Sequence, residues 1–497
     1  MKDRLTLGKT SVALGLGLLV LISGCAVGPD YKRPTTETPA HYKSEELGSW
    51  KQGEPLDRVP RGSWWEVFGD EVLNDLERRS TGANQELKAA FARVEQARAT
   101  ARIVSSELLP TLDANPSWNR QRYSPNQEPS FGAITATTVS VPLDLSYEVD
   151  LWGRVRRGFE SARAETQASL ASYYSVLLTL HADVARTYFA VRALDAEIVT
   201  VSNTVALRQE QVQLVQSRFE GGIGNELDVA RAQTELATAE AEGAGLARRR
   251  AELENGLAIL VGANPAEFQL AALEKSQDNL EPRLPEIPAG LPAELLERRP
   301  DVSEAERQLA SANAQIGVAK AAFFPVVRLT GSGGYVSADV ESLFKWDSRV
   351  WSIGPSVSLP IFSGGRNQAG YRRSKFVYEE VVANYRQRIL VAFQDVENSL
   401  SGIQYLAQQA VARDRALASA RRAADLAEQR YKSGIVSYLE VVDANREALQ
   451  AERASALLAG ERNIAAVQLI KALGGGWDEQ ALFAKADRQQ SNAAKQN

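Results

Sequence analysis

The sequence from Val141 to Gly158, VPLDLSYEVDLWGRVRRG, holds two structural periods and the joint between them. Val141, Leu143, Leu145, Tyr147 and Val149 alternate with Pro142, Asp144, Ser146, Glu148 and Asp150. A period of two lays apolar groups on one face of a β-strand and polar groups on the other. After Trp152-Gly153-Arg154 the period changes. From Arg154 to Phe219 there is no proline and Gly158 is the only glycine. Apolar residues now recur at three- and four-residue steps, among them Leu177, Val184, Tyr188, Val191, Ile198, Val205 and Val212, the spacing of one helical face. A helix over about 154–219 is roughly 99 Å long at ~1.5 Å per residue. Few compact soluble domains hold such a rod.

The stretch has a counterpart downstream. Gly364-Gly365-Arg366 answers Trp152-Gly153-Arg154, and Arg430-Tyr431-Lys432-Ser433-Gly434-Ile435 answers Arg218-Phe219-Glu220-Gly221-Gly222-Ile223. Phe323-Phe324-Pro325 likewise answers Leu108-Leu109-Pro110. The chain therefore reads as a tandem duplication. Repeat 1 covers 63–262, with a helix over 84–108, strands at about 112–123 and 134–150, the long helix over 154–219 and a helix over about 226–261. Repeat 2 covers 301–474, with a helix over 301–322, strands at about 326–336 and 350–362, a long helix over 366–431 and a helix over about 437–473. Asn225 and Asp228 are spaced as helix N-cap and first-turn acid, and Ser437 and Glu440 as a capping box. A proline-rich linker over 263–300 separates the halves, and a polar tail over 475–497 follows them.

The N-terminus reads as a secretory signal over 1–24, with Lys2, Arg4 and Lys9 ahead of an apolar core at 12–22. Ile22-Ser23-Gly24-Cys25 resembles a bacterial lipobox, which implies N-palmitoyl and S-diacylglycerol chains on Cys25. More than one chain anchors stably, since each buried CH₂ contributes ~0.8 kcal/mol. Ala26, not aspartate, follows; in lipoproteins that resembles sorting to the outer membrane. Residues 25–62, with Pro29, Pro34, Pro39, Pro55 and Pro60, read as an extended arm. Cys25 is the only cysteine, so one chain makes no internal disulfide.

The net charge of −5 over 497 residues argues against nucleic acid as a partner. Beyond the signal no run of eighteen apolar residues suggests a spanning helix. The strands are long enough to cross a bilayer when tilted, yet a spanning sheet has to close. Four strands are too few, because closed membrane barrels start at about eight. Two copies would supply eight strands and three would supply twelve. Asp113, Asn115, Ser140, Asp144, Ser146, Glu148, Arg328, Thr330, Ser352 and Ser356 make one sheet face polar, which suits a wet lumen. A soluble four-stranded sheet on a coiled coil is the alternative.

YEVDLWGRVRRG, LLERRPDVSEAERQLASANAQIGVAKAAFFP, PIFSGGRNQ and QRYKSGIVSYLEVVDANR together resemble the TolC-like outer-membrane factors, and within them the NodT-type lipoproteins of RND multidrug efflux systems. The resemblance covers residues 25–477. It implies an α+β membrane protein: a tandem-repeat protomer of long antiparallel coiled-coil helices plus four strands, trimerising into a 12-stranded β-barrel on a 12-helix periplasmic α-barrel. It implies a homotrimer set in outer-membrane lipid, working with a periplasmic membrane-fusion adaptor and an inner-membrane RND pump. It further implies an exit duct and not an enzyme. A duct for type I protein secretion and a coiled-coil lipoprotein without a pore are the rival readings.

The same resemblance puts Leu439, Asp443 and Arg446 at a periplasmic gate, with Arg430 and Tyr431 at the turn that ties it shut. Leu439, Asp443 and Arg446 step by four and three, so they share a helical face. Three copies of Asp443 about a threefold axis would form an acid ring; the plain alternative is a solvated Asp443/Arg446 pair. Arg231 stands at the repeat position of Asp443, so gating is expected to differ between the halves. Gly153, Arg154, Gly365 and Arg366 mark the strand-to-helix junctions. No cofactor or metal motif is present: the two histidines, His41 and His181, are far apart. His181 is expected to be a packed residue. Gly222-Ile223-Gly224 is a turn, and Gly331-Ser332-Gly333-Gly334 suits a bulge or a close packing in a strand.

Overall fold

The structure, a computed structural model, describes residues 26–35, 42–43, 63–126, 134–273 and 299–475. The signal, Cys25, most of the arm, most of the linker and nearly all of the tail lie outside the described residues. Helix lengths match between the halves. α2 (Gln85–Ser106) and α5 (Pro300–Ala321) have 22 residues each. α3 (Arg154–Glu220) and α6 (Arg366–Lys432) have 67 each, α4 (Glu226–Leu260) and α7 (Tyr438–Ala472) 35 each. At ~1.5 Å per residue the long helices run about 100 Å. No helix among the described residues is apolar enough to cross a membrane.

The chain divides into two compact units. The first, within Met1–Thr35, Arg93–Ser169 and Glu304–Arg386, contains the sheet. Its strands are β1 (Thr111–Ala114), β2 (Ser117–Arg122), β3 (Thr135–Val149), β4 (Val326–Ser337) and β5 (Arg349–Ser358), all antiparallel, in the order β1-β3-β4-β5 with β2 also on β3. The single strand expected at 112–123 is thus interrupted. The gap at Asn115-Pro116 lies against Val141-Pro142, and proline has no N–H to give the ladder. Register survives the gap, with Ala114 opposite Leu143 on one side and Ser117 opposite Ser140 on the other. β1 and β2 therefore act as one strand. The last strand ends at Ser358, short of the expected 362, ahead of Pro360. The β4 glycine run forms no bulge, since its pairing with β3 and β5 is unbroken from Val327 to Tyr335. Gly334 instead allows a close approach: a Cβ there would meet Pro142 Cα at 2.8 Å.

The second unit, within Thr36–Ala92, Leu170–Ser303 and Gln387–Asn497, contains the main apolar core. Two short elements that the sequence pattern did not reveal help to build it, a 3-10 turn at Trp64–Phe68 and α1 (Glu71–Ala83). Asp70 caps α1 through the Val72 and Leu73 amides, and Asn84 caps α2 through the Leu87 amide at 2.9 Å. Trp64, Leu73, Leu76, Val184, Leu257 and Val467 are buried together. His181 is packed there as expected, with its Nδ1 2.6 Å from Glu77 Oε2 and its ring 4.3 Å from that of Trp65. Burial alone pushes the Glu77 carboxyl up to about 10 and the His181 imidazole down to about 4. Both side chains stay neutral at neutral pH, and the hydrogen bond between them needs no buried charge.

Candidate functional site

In the first unit, strand register sorts the side chains of the sheet. One face presents Thr111, Ser146 and Thr330 in one row, Asp113, Asp144, Ser332 and Ser352 in the next, and Glu148, Arg328 and Ser356 in a third. The other face presents Leu112, Leu145 and Ile353, then Leu143 and Trp351, then Tyr147 and Leu329, then Val149, Val327 and Val357. Trp351 and Ile353 are 80% and 82% exposed. An exposed apolar face of this size on a sheet needs a covering phase. From Val149 to Val139 the apolar rows run about 33 Å along the strand. Tilted as barrel strands are, that is a band of ~25 Å. Both outer edges of the sheet, β1 with β2 and β5, lack a partner strand among the described residues.

The junction at the foot of β3 is built around Gly153, whose φ of 77° places it in the left-handed region. Ala26 leaves no room for a side chain there, since a Cβ on Gly153 would lie 2.7 Å from Ala26 Cα. Val27 N donates to Trp152 O at 2.9 Å, and Arg157 reaches Asp30 at 2.6 Å. The start of the described chain is thus tied to the strand-to-helix joint. Trp152 stacks on Phe324, and its Nε1 donates to Pro325 O at 2.8 Å. Asp150 accepts from the Val155 and Arg156 amides and so stabilises the start of α3. Arg154 Nε donates to Glu148 Oε1 at 2.7 Å, and Nη2 reaches Glu107 at 3.3 Å. At the second junction Gly364 and Gly365 have φ of 58° and 82°. There Arg366 is exposed, and Phe362 holds the repeat position of Asp150.

In the second unit, the hairpin between α6 and α7 contains the residues expected at a gate. Tyr431 is buried with Val215, Val229, Tyr438, Val441 and Val442. Its ring lies 5.4 Å from that of Tyr438 and 5.0 Å from the Arg218 guanidinium. Burial, then Tyr431 and Glu235, push the Tyr438 hydroxyl up to about 12. Arg430 gives its carbonyl to Ile435 N at 2.9 Å, closing the turn, and its side chain is exposed. Leu439 and Asp443 are exposed on α7.

Two sequence expectations are corrected here. Ser437 occupies the N-cap of α7 but makes no side-chain cap bond, so the capping box does not form. Its backbone has ψ 158° and offers the carbonyl to Glu440 N. Arg446 does not form the solvated surface pair with Asp443 that was the plain alternative to the gate. It turns to α4, donating through Nε to Glu235 Oε1 at 3.0 Å. Arg208 of α3 approaches the same carboxylate from the other side at 3.1 Å. One heptad along, the polarity reverses: Arg453 of α7 lies between Glu197 of α3 at 2.7 Å and Glu242 of α4 at 3.2 Å. Each rung joins three helices, and each central charge is neutralised by a partner on either side. Glu235, Arg208, Glu197, Glu242 and Arg453 escaped sequence reasoning. The available signal was the seven-residue spacing of Glu235/Glu242 against Arg446/Arg453.

The comparisons with known proteins concern nearly the whole chain. A family model described as outer membrane efflux protein matches residues 78–263 and 291–475. The solvent efflux pump outer membrane protein SrpC of Pseudomonas putida is 34% identical over 468 residues, covering 94% of this chain and 98% of that protein. Among solved structures, the outer-membrane channel OprN superposes with a TM-score of 0.83 at 31% identity, covering 91% of this chain and 100% of that one. The MtrE outer membrane channel of Neisseria gonorrhoeae, solved in an open state, gives 0.80 at 32% identity, covering 92% and 99%.

Proposed function

The chain belongs to the outer membrane efflux protein family, and from that premise we propose how its parts make a duct. It is an outer-membrane channel of an efflux pump that extends into the periplasm, and it is not an enzyme. Three copies join edge to edge, β5 of one against β1 and β2 of the next, into a twelve-stranded β-barrel. The long helices of the three copies form a twelve-helix α-barrel in the periplasm. The observation that carries this reading is the two-faced sheet with two unpaired edges. In lipid an open edge leaves several backbone groups without hydrogen bonds, so closure is required. The apolar face meets lipid, and the row of Asp113, Asp144, Ser332 and Ser352 lines the water-filled lumen.

Energy and substrate choice come from the partners, a periplasmic membrane-fusion adaptor and an inner-membrane RND pump. The cargo is a small molecule of the solvent or drug class, in keeping with the name of SrpC. Cys25 bears the N-palmitoyl and S-diacylglycerol chains. Its neighbour Ala26 rests against Gly153 at the foot of the apolar band, the level at which acyl chains would enter the inner leaflet. The hairpin bearing Tyr431, Leu439, Asp443 and Arg446 forms the periplasmic gate, and Arg446 with Glu235 stabilises the closed arrangement.

Planar-bilayer recording of the purified trimer tests the duct. Discrete conductance steps are expected, and their complete absence would sink the reading. Asp443→Ala is expected to raise conductance by removing an acid ring at the constriction. Unchanged conductance would remove Asp443 from the gate.

A further inference from the structure

The apolar face of the sheet carries a second pattern. Among the described strand residues, its only charged side chains are Arg120, Arg122 and Arg349. Arg120 and Arg122 follow Trp118 by two and four residues, so they lie about 7 and 13 Å past the end of the apolar rows. Arg349 opens β5, opposite Tyr335, and its Nε donates to Trp346 O at 2.8 Å. All three are exposed, and none is in an ion pair among the described residues. The acids of the sheet lie on the opposite face, where Glu148 holds Arg154 and approaches Arg328.

On the strands this face carries one sign of charge, while the loop that leads into Arg349 carries Asp339, Glu341 and Asp347 beside Lys345. A cation on the lipid side of a barrel costs ~2–4 kcal/mol at the midplane and almost nothing at the boundary. Arg120 and Arg122 stand past the apolar rows at the loop end, and Arg349 stands in the next-to-last row, level with Tyr335 and Val141; all three lie away from the Gly153 junction and its tied-down N-terminal segment. In the barrel reading that end faces outward. The outer surface of the outer membrane there offers lipid headgroups rich in phosphate. Arginine, whose planar fork donates to two phosphate oxygens at once, suits that partner better than lysine.

We infer that Arg120, Arg122 and Arg349 form a binding surface for the phosphates of an anionic glycolipid in the outer leaflet. The inference rests on the barrel reading, because only closure turns this face toward lipid. Bound glycolipid would fix the depth of the barrel at its outer rim, as the lipidated N-terminus does at the inner one.

The test uses full-length trimer in phosphatidylcholine vesicles containing a small fraction of fluorescent bisphosphorylated lipid A. Lipid that remains with the protein after detergent extraction is quantified. Parallel samples contain phosphatidylglycerol, or lipid A freed of its phosphates, in place of the probe. Wild type is expected to retain lipid A selectively. The triple variant Arg120→Gln, Arg122→Gln, Arg349→Gln is expected to retain about tenfold less, the loss of one or two charge-assisted contacts. Replacing the same residues by lysine should restore part of the binding. Equal retention by wild type and triple variant, or equal retention of lipid A with and without phosphates, would overturn the site. So would equal retention of phosphatidylglycerol. Conductance of the same samples keeps the two readings apart. Channels without lipid A selectivity sink the arginine surface alone, whereas a wild type without channels sinks the barrel.

Discussion

The two hairpins, one between α3 and α4 and the other between α6 and α7, have nearly the same backbone and different side-chain duties. Gly222 and Gly434 both have φ of 75°. Ile223 N bonds Arg218 O at 3.0 Å, and Ile435 N bonds Arg430 O at 2.9 Å. The side chains diverge from there. Phe219 is exposed, while its counterpart Tyr431 is buried. Asn225 caps its helix through Leu227 N at 2.9 Å, while Ser437 does not. Glu235 is buried between two arginines, while Glu447, at its repeat position, is exposed. The comparison teaches that the turn itself is fixed by glycine geometry and backbone bonds. What differs between the two hairpins is left to the side chains that meet across helices.

Substitutions at repeat-equivalent positions sharpen or break that contrast. The largest difference is expected at Glu235. Glu235→Ala leaves Arg208 buried without its carboxylate and should cost ~3–5 kcal/mol in chemical denaturation, against ~0.5 kcal/mol or less for Glu447→Ala. Equal costs would mean that the charge rungs do not organise the second hairpin. Tyr431→Ala removes a buried ring and should cost ~3 kcal/mol, whereas Phe219→Ala should cost ~1 kcal/mol or less. Arg446→Ala removes a pair whose arginine is half-exposed. Single-channel recording should show open probability rising about fivefold, equivalent to ~1 kcal/mol of bias, and Thr234→Ala at the equivalent place should leave it unchanged. An effect of similar size is expected at the caps. Asn225→Ala should lower helix stability by ~1 kcal/mol, and Ser437→Ala should leave the melting curve where it is. A loss at Ser437 equal to that at Asn225 would show that the hydroxyl caps the helix in solution.

Much of the architecture was legible because it depends on local rules. Period two in VPLDLSYEV and period 3–4 after Arg154 gave a strand and a helix whose joint falls at Gly153. Glycine at 153, 365, 222 and 434 marked positions of positive φ. The break in the first strand was less legible, since it takes the two prolines Pro116 and Pro142 brought side by side by pairing. α1 was missed because its apolar face is short, with Leu73 and Leu76 at its centre, and because only Asn84 separates it from α2. At the hairpin between α6 and α7, sequence reading named Asp443 and Arg446 but not the residues that Arg446 meets. Asp443 and Arg446 share a helical face, which made a solvated pair between them the plain alternative to a gate. Glu235 stands 211 residues away in the chain, and only helix packing brings it to 3.0 Å from the Arg446 Nε.

The sequence by itself determined the elements, the duplication and the alternation that makes the sheet two-faced, because each follows from side-chain period, proline and glycine within a few residues. Tertiary structure alone decided the strand register that gathers all three arginines at one end of the apolar face. It alone decided which carboxylate each arginine of α7 meets. Those choices depend on distances between segments far apart in the chain. A charge seeks whichever opposite charge packing brings within ~3 Å, not the one nearest in sequence.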